Sequence, residues 1–147
     1  MIGMKIEVKE DKTIVYLYKY ELSFDNIEKL NKEVKNIFIK LIKVYNLDLH
    51  GFLKVYVYCN KIYGYVLEIE TLYNDSDFEA VDLKLVIYEN CEFYFKTDDY
   101  FLISKFDKIY YDEDYFYVNV KELDKLMKFI EFGEIVYDFD KKKCRLL

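Results

Sequence analysis

Between Phe52 and Glu70 the residues alternate in character on both sides of Asn60-Lys61, the pattern of two strands joined by a tight turn. A two-residue loop at Asn60-Lys61 sets Cys59 opposite Ile62 and thereby assigns two faces. Leu53, Val55, Val57, Cys59, Ile62, Gly64 and Val66 form an aliphatic one, while Phe52, Lys54, Tyr56, Tyr58, Tyr63, Tyr65, Leu67 and Ile69 form the other. The preceding segment supplies an apolar cover. Ile27, Leu30, Val34, Ile37, Phe38, Leu41, Ile42 and Tyr45 recur at helical spacing, with Lys29, Lys32, Lys35, Lys40 and Lys43 on the opposite side. Asp25 and Glu28 are placed to close a capping box at the start of that helix. Ile39 stands among the lysines and is a candidate contact for a partner.

Met4–Val8 and Thr13–Tyr20 read as a hairpin around the polar turn at Lys9–Lys12. Beyond a loose joint at Thr71–Ala80, short strands are expected from Val81, at Glu92–Lys96, Tyr100–Ser104, Lys108–Tyr111 and Tyr115–Val118, and at Glu134–Asp138. A second helix, Val120–Phe132, should be capped by Asn119 with Glu122 and stopped by Gly133. The fold class is therefore α+β, mainly antiparallel sheets with one long amphipathic helix in the first half and a shorter one near the C-terminus. At 147 residues the chain reads as a single domain. It divides into two interlocked halves, 1–70 (ββαββ) and 81–138 (a β-meander with helix and last strand), followed by a basic tail at 139–147.

The stretch KIYGYVLE, Lys61–Glu68, resembles the aromatic octapeptide of the RNA-recognition motif, and Val15-Tyr16-Leu17 is similar to the start of that family's hexapeptide. The resemblance implies single-stranded nucleic-acid binding through a tyrosine-lined sheet face. Tyr63 and Tyr65 would be the stacking residues, with Tyr16 beside them. The sequence departs from the pattern at Ile62, where the motif has Gly, and at Glu68, where it has an aromatic ring. Lys19-Tyr20 replaces the end of the hexapeptide, and no second helix follows directly. Lys54 is the one cation on the inferred face, which is poor in charge for phosphate.

Charge is uneven. Residues 1–65 carry 11 lysines against 8 acids, 66–140 carry 7 against 20, and 141–147 carry 4 cations and no acid. An acidic second half suits a basic protein partner. The 17 Tyr and 12 Phe supply residues favoured in interface cores. Cys59, Cys91 and Cys144 form an odd set without C-x-x-C, which points to free thiols in a reducing cytoplasm. The amino terminus lacks the apolar core of a signal peptide, and no apolar run reaches the ~20 residues of a membrane span.

Chemistry is thinly represented. His50 is the one histidine, and none of Ser23, Ser76 and Ser104 lies in G-x-S-x-G. A Cys-His pairing through Cys59 reads less well than a small core residue. Asp75, Asp77 and Glu79 have oxygen-rich spacing, but Ala80 and Val86 break the calcium-loop pattern. No catalytic residue, cofactor or metal ligand is assigned. The expectation is a non-catalytic cytosolic protein-binding or regulatory module, of adaptor, inhibitor or immunity type, with self-association left open and no membrane partner. Its interaction surface would draw on Tyr16, Tyr56, Tyr58, Tyr63, Tyr65 and Ile39 and on the acidic turn Asp112, Glu113 and Asp114. The alternatives are the nucleic-acid reading and a small-ligand protein or enzyme with a carboxylate-lined pocket.

Overall fold

The computed structural model describes residues 3–19, 21–22, 25–49, 51–73 and 81–147. The chain divides into two compact units, residues 1–57 with 64–88 and residues 58–63 with 89–147. Each has a five-stranded sheet and one α-helix, the α+β class that the periodicity predicts. Among the described residues no helix is long and apolar enough to cross a membrane.

The first unit runs β1 (Gly3–Val8), β2 (Thr13–Tyr18), α1 (Ile27–Tyr45), β3 (Gly51–Asn60), β4 (Gly64–Tyr73) and β5 (Val81–Tyr88), in the sheet order β1-β2-β4-β3-β5. Strand β4 pairs antiparallel with β2 and is joined to β3 by a hairpin, so α1 crosses over between two strands that flank a third. The alternation placed β5 with the second half, yet it is an edge strand of the first sheet.

Helix α1 buries Leu30, Val34, Ile37, Phe38 and Leu41, each such side chain stabilising the fold by roughly 1.5–3 kcal/mol. Its cap is Asn26 rather than Asp25: the Asn26 side chain accepts from the backbone N–H groups of Glu28 and Lys29. Asn46 ends it in the left-handed conformation, φ 54°. Glu68, which stands where the motif has a ring, is 7% exposed and takes an ion pair with Lys12 at 2.9 Å. Gly64 adopts φ +133°, and a Cβ there would run into the carbonyl oxygen of Leu17 on the neighbouring strand.

The second unit contains β6 (Tyr94–Thr97), β7 (Tyr110–Tyr111), β8 (Phe116–Asn119), α2 (Leu123–Phe132), β9 (Glu134–Val136) and β10 (Arg145–Leu146), in the order β10-β7-β8-β6-β9 with every neighbour antiparallel. The basic tail does not leave the unit: Arg145 and Leu146 pair with Tyr111 and Tyr110. Strands of two to four residues hold few ladder bonds, so aromatic packing does much of the cohesion. On one face Phe95 stacks on Phe129 of α2 at 3.9 Å and 1°. On the other, Phe139 packs against Tyr94 (4.0 Å), Tyr117 (5.0 Å) and Tyr110 (5.6 Å). A Cβ on Gly133 would lie 2.6 Å from the Phe95 ring, so the stop of α2 is also a packing requirement. The capping box predicted at Asn119 does not form. Asn119 ends β8, and Val120 donates its N–H to the Phe93 carbonyl, so α2 begins three residues later than its apolar period suggests.

Candidate functional site

The tyrosine face does not assemble, and the reason is the length of one loop. Strand β3 extends to Asn60 and β4 starts at Gly64, leaving three residues between them instead of two. Asn60 makes this loop: its side-chain oxygen accepts from the N–H groups of Ile62 and Tyr63, both at 2.9 Å. A shift of one residue sends every later side chain to the opposite face. Tyr65 lies across from Leu17, whereas Tyr16 lies across from Val66, so these two phenols point to opposite sides.

Tyr56 falls on the side of Tyr16. Lys54 lies over the Tyr56 ring at 4.9 Å, and its pKa is raised first by a hydrogen bond to Tyr56 and further by Glu70, which shares the face of Val66. Tyr56 stacks on Tyr88 of β5 at 6.4 Å. Tyr16 is buried in the first unit. Tyr58 packs on Tyr137 (4.6 Å) and Tyr63 on Phe93 (6.3 Å), both buried inside the second unit. Ile39, on α1, is 46% exposed. The stacking platform implied by the resemblance to the RNA-recognition motif is therefore absent in these strands.

The acidic turn finds different company. Thr97 at the end of β6 pairs with Phe116 at the start of β8, so the segments beyond them leave the same end of the sheet. One is the exposed turn Asp112–Tyr115; the other is Asp98–Leu102. Tyr100–Leu102 was expected as a strand but forms a single 3-10 turn, capped by the Asp99 carboxylate, which accepts from the Phe101 N–H at 3.0 Å. Tyr100 meets the Phe116 ring edge-on at 5.7 Å, while Phe101 is 89% and Leu102 58% exposed. Asp112 is a structural residue. Its carboxylate accepts from the N–H groups of Asp114 (2.9 Å) and Tyr115 (2.8 Å) and from the Tyr117 hydroxyl (2.7 Å), which hold its pKa below the usual carboxylate range. The side-chain carboxylates of Glu113 and Asp114 take no part in that network, and Lys96 covers the Tyr115 ring at 4.1 Å.

No family model, curated protein or solved structure matches the chain. The residues themselves carry the functional argument. Burial, with the neighbouring Cys91 and Glu89, pushes the Cys59 thiol up to about 11, so it is protonated at neutral pH and a poor nucleophile. Cys91 and Cys144 are likewise raised, chiefly by burial. His50, Ser23, Ser76, Asp75, Asp77 and Glu79 lie outside the described residues; Ser104 is exposed. Among the described residues no group of three or more His, Cys, Asp or Glu is placed to hold a metal ion.

Sequence reasoning missed the two most distinctive parts of the second unit. One is the exposed Tyr100-Phe101-Leu102 turn, for which the available signal was Asp99 as a cap behind Thr97 and Asp98. The other is a cavity of about 460 Å³ at the opposite end of the sheet, lined by five lysines and three carboxylates.

Proposed function

We propose that this chain is a non-catalytic cytoplasmic protein-binding module, of adaptor, inhibitor or immunity type, that docks a basic protein through the acidic and aromatic end of its second sheet. The exposure of Phe101, 89%, is the observation that carries the reading. A phenylalanine held outward on a capped turn gives up roughly 1.5–3 kcal/mol that burial would return, and a partner surface recovers it. Aromatic anchors of this kind dominate interface energetics when they fill a pocket on the partner. Asp98 and Asp99 precede the anchor in the chain, and Glu113 and Asp114 lie in the turn that leaves the same end of the sheet; these carboxylates would speed encounter with a positive surface.

The test is capture by immobilised protein. Bound proteins are expected to be lost with Phe101→Asp and to weaken both with added salt and with the double reversal Asp98→Lys and Glu113→Lys. Asp112 is kept, because replacing it would unpin the turn as well as change charge. Capture indifferent to salt and to both variants would overturn the proposal.

A further inference from the structure

The other end of the same sheet, where Tyr94 pairs with Asn119, opens into the lysine-lined cavity. Three separate segments contribute its cations: Lys105 and Lys108 from the loop before β7, Lys121 just before α2 and Lys125 in its first turn, and Lys141 from the 3-10 turn after β9. Glu92, Asp107 and Glu122 are its acids. Two of these are already engaged: Glu92 accepts from the Tyr94 hydroxyl at 3.3 Å and Glu122 pairs with Lys125 at 3.6 Å. Among the described residues, Lys105, Lys108, Lys121 and Lys141 have no carboxylate within ion-pairing distance. The lining carries five lysines against three carboxylates, an excess of two positive charges; four of the ammonium groups lack a paired carboxylate, and a multivalent anion relieves their mutual repulsion.

We propose that this cavity binds an organic polyphosphate of nucleotide size, a nucleoside di- or triphosphate being the representative case. Its volume of about 460 Å³ lies in the usual range for small-molecule sites. Lysines are point charges that suit phosphate oxygens spread over several directions, more than the flat fork of one carboxylate. Tyr94, Tyr110 and Phe106 supply ring surface for the organic part, and Asn119 adds a side-chain amide. Lys125 lies over the Phe106 ring at 5.2 Å, so cationic and aromatic subsites adjoin. Glu122 precedes α2 without making a side-chain capping bond, leaving first-turn N–H groups of that helix as further donors. Burial, reinforced by Glu92, raises the Tyr94 phenol above its ordinary value, so it stays a neutral hydrogen-bonding group at physiological pH. No glycine-rich phosphate loop is needed, because side chains replace the backbone cradle.

The experiment uses the full chain and a fluorescent ATP analogue, read by anisotropy at low salt, with ATP, pyrophosphate, adenosine and heparin as competitors. ATP and pyrophosphate are expected to displace the probe and adenosine to fail. Lys108→Glu with Lys121→Glu should weaken binding by at least about tenfold, equivalent to 1.4 kcal/mol. Reversal of the exposed pair Lys32→Glu and Lys35→Glu on α1 should leave it unchanged. Phe106→Ala should weaken ATP more than pyrophosphate. Circular dichroism confirms that each variant is folded. Absence of probe binding to the unmodified protein, equal loss in the α1 variant, or displacement by heparin but not by ATP would each overturn the proposal.

Discussion

The two ends of the second sheet are built on the same four-residue strands and differ in almost everything they display. At the Thr97–Phe116 end the chain puts out Asp98, Asp99, Asp112, Glu113 and Asp114 around an exposed aromatic turn. At the Tyr94–Asn119 end it gathers five lysines and three acids around the rings of Tyr94, Phe106 and Tyr110. A strand of four residues spans only about 10 Å, close to the screening length of about 8 Å at physiological salt, so each end presents its own field. Summed charge conceals this. Residues 66–140 are strongly acidic as a segment, yet the fold brings four of their lysines together with Lys141 in one place. Recognition therefore has to be argued from where the topology delivers charges, and the segment total predicts only half of it.

The comparison assumes a shared scaffold, and the most damaging substitution tests that. Phe95 is 4% exposed, stacked on Phe129 and pressed against Gly133. Phe95→Ala removes the ring between sheet and helix and should cost about 3–5 kcal/mol, read as a lowered urea midpoint, with probe binding and partner capture lost together. Survival of either end in that variant would mean that the two are supported separately.

A smaller effect sharpens the acidic end alone. The Tyr117 hydroxyl and two backbone N–H groups depress the Asp112 pKa in the folded state. A depressed folded value gives stability that is present above the unfolded pKa, near 3.9, and lost as pH falls through the folded one. Unfolding followed from about pH 5 downward should thus show a loss of stability below about pH 4 that Asp112→Asn does not share. Identical acid dependence in the two proteins would remove Asp112 as the pin of the turn.

How much of this was legible depends on the range of the determining contact. Helix α1 was readable because five buried residues repeat on one face over 19 positions. The faces of the β3–β4 hairpin were not. One side chain, Asn60, lengthens the loop by a residue, and that single step divides the phenols that alternation had aligned. Strand β5 was assigned to the wrong sheet because alternation reports exposure and carries no information about which neighbour a strand takes. The acidic turn was read correctly as a turn; its position at the same end of the sheet as Phe101 depends on the Thr97–Phe116 register. The lysine cavity draws on residues from Lys105 to Lys141, so no window of the sequence contains it.

The smallest expected effect separates binding from folding. Phe95 and Phe101 lie six positions apart at 4% and 89% exposure, and the same loss of a ring should have opposite consequences. Phe101 leaves solvent only if something covers it. Phe101→Ser should therefore change stability by no more than about 0.5 kcal/mol, the usual range for surface positions without structural duties. The cap survives because Asp99 accepts from the backbone of residue 101 and not from its side chain. Partner capture, by contrast, should fall sharply. A destabilisation comparable to that of Phe95→Ala would show that the ring is covered within the folded protein, and the acidic end would then offer charge without an anchor.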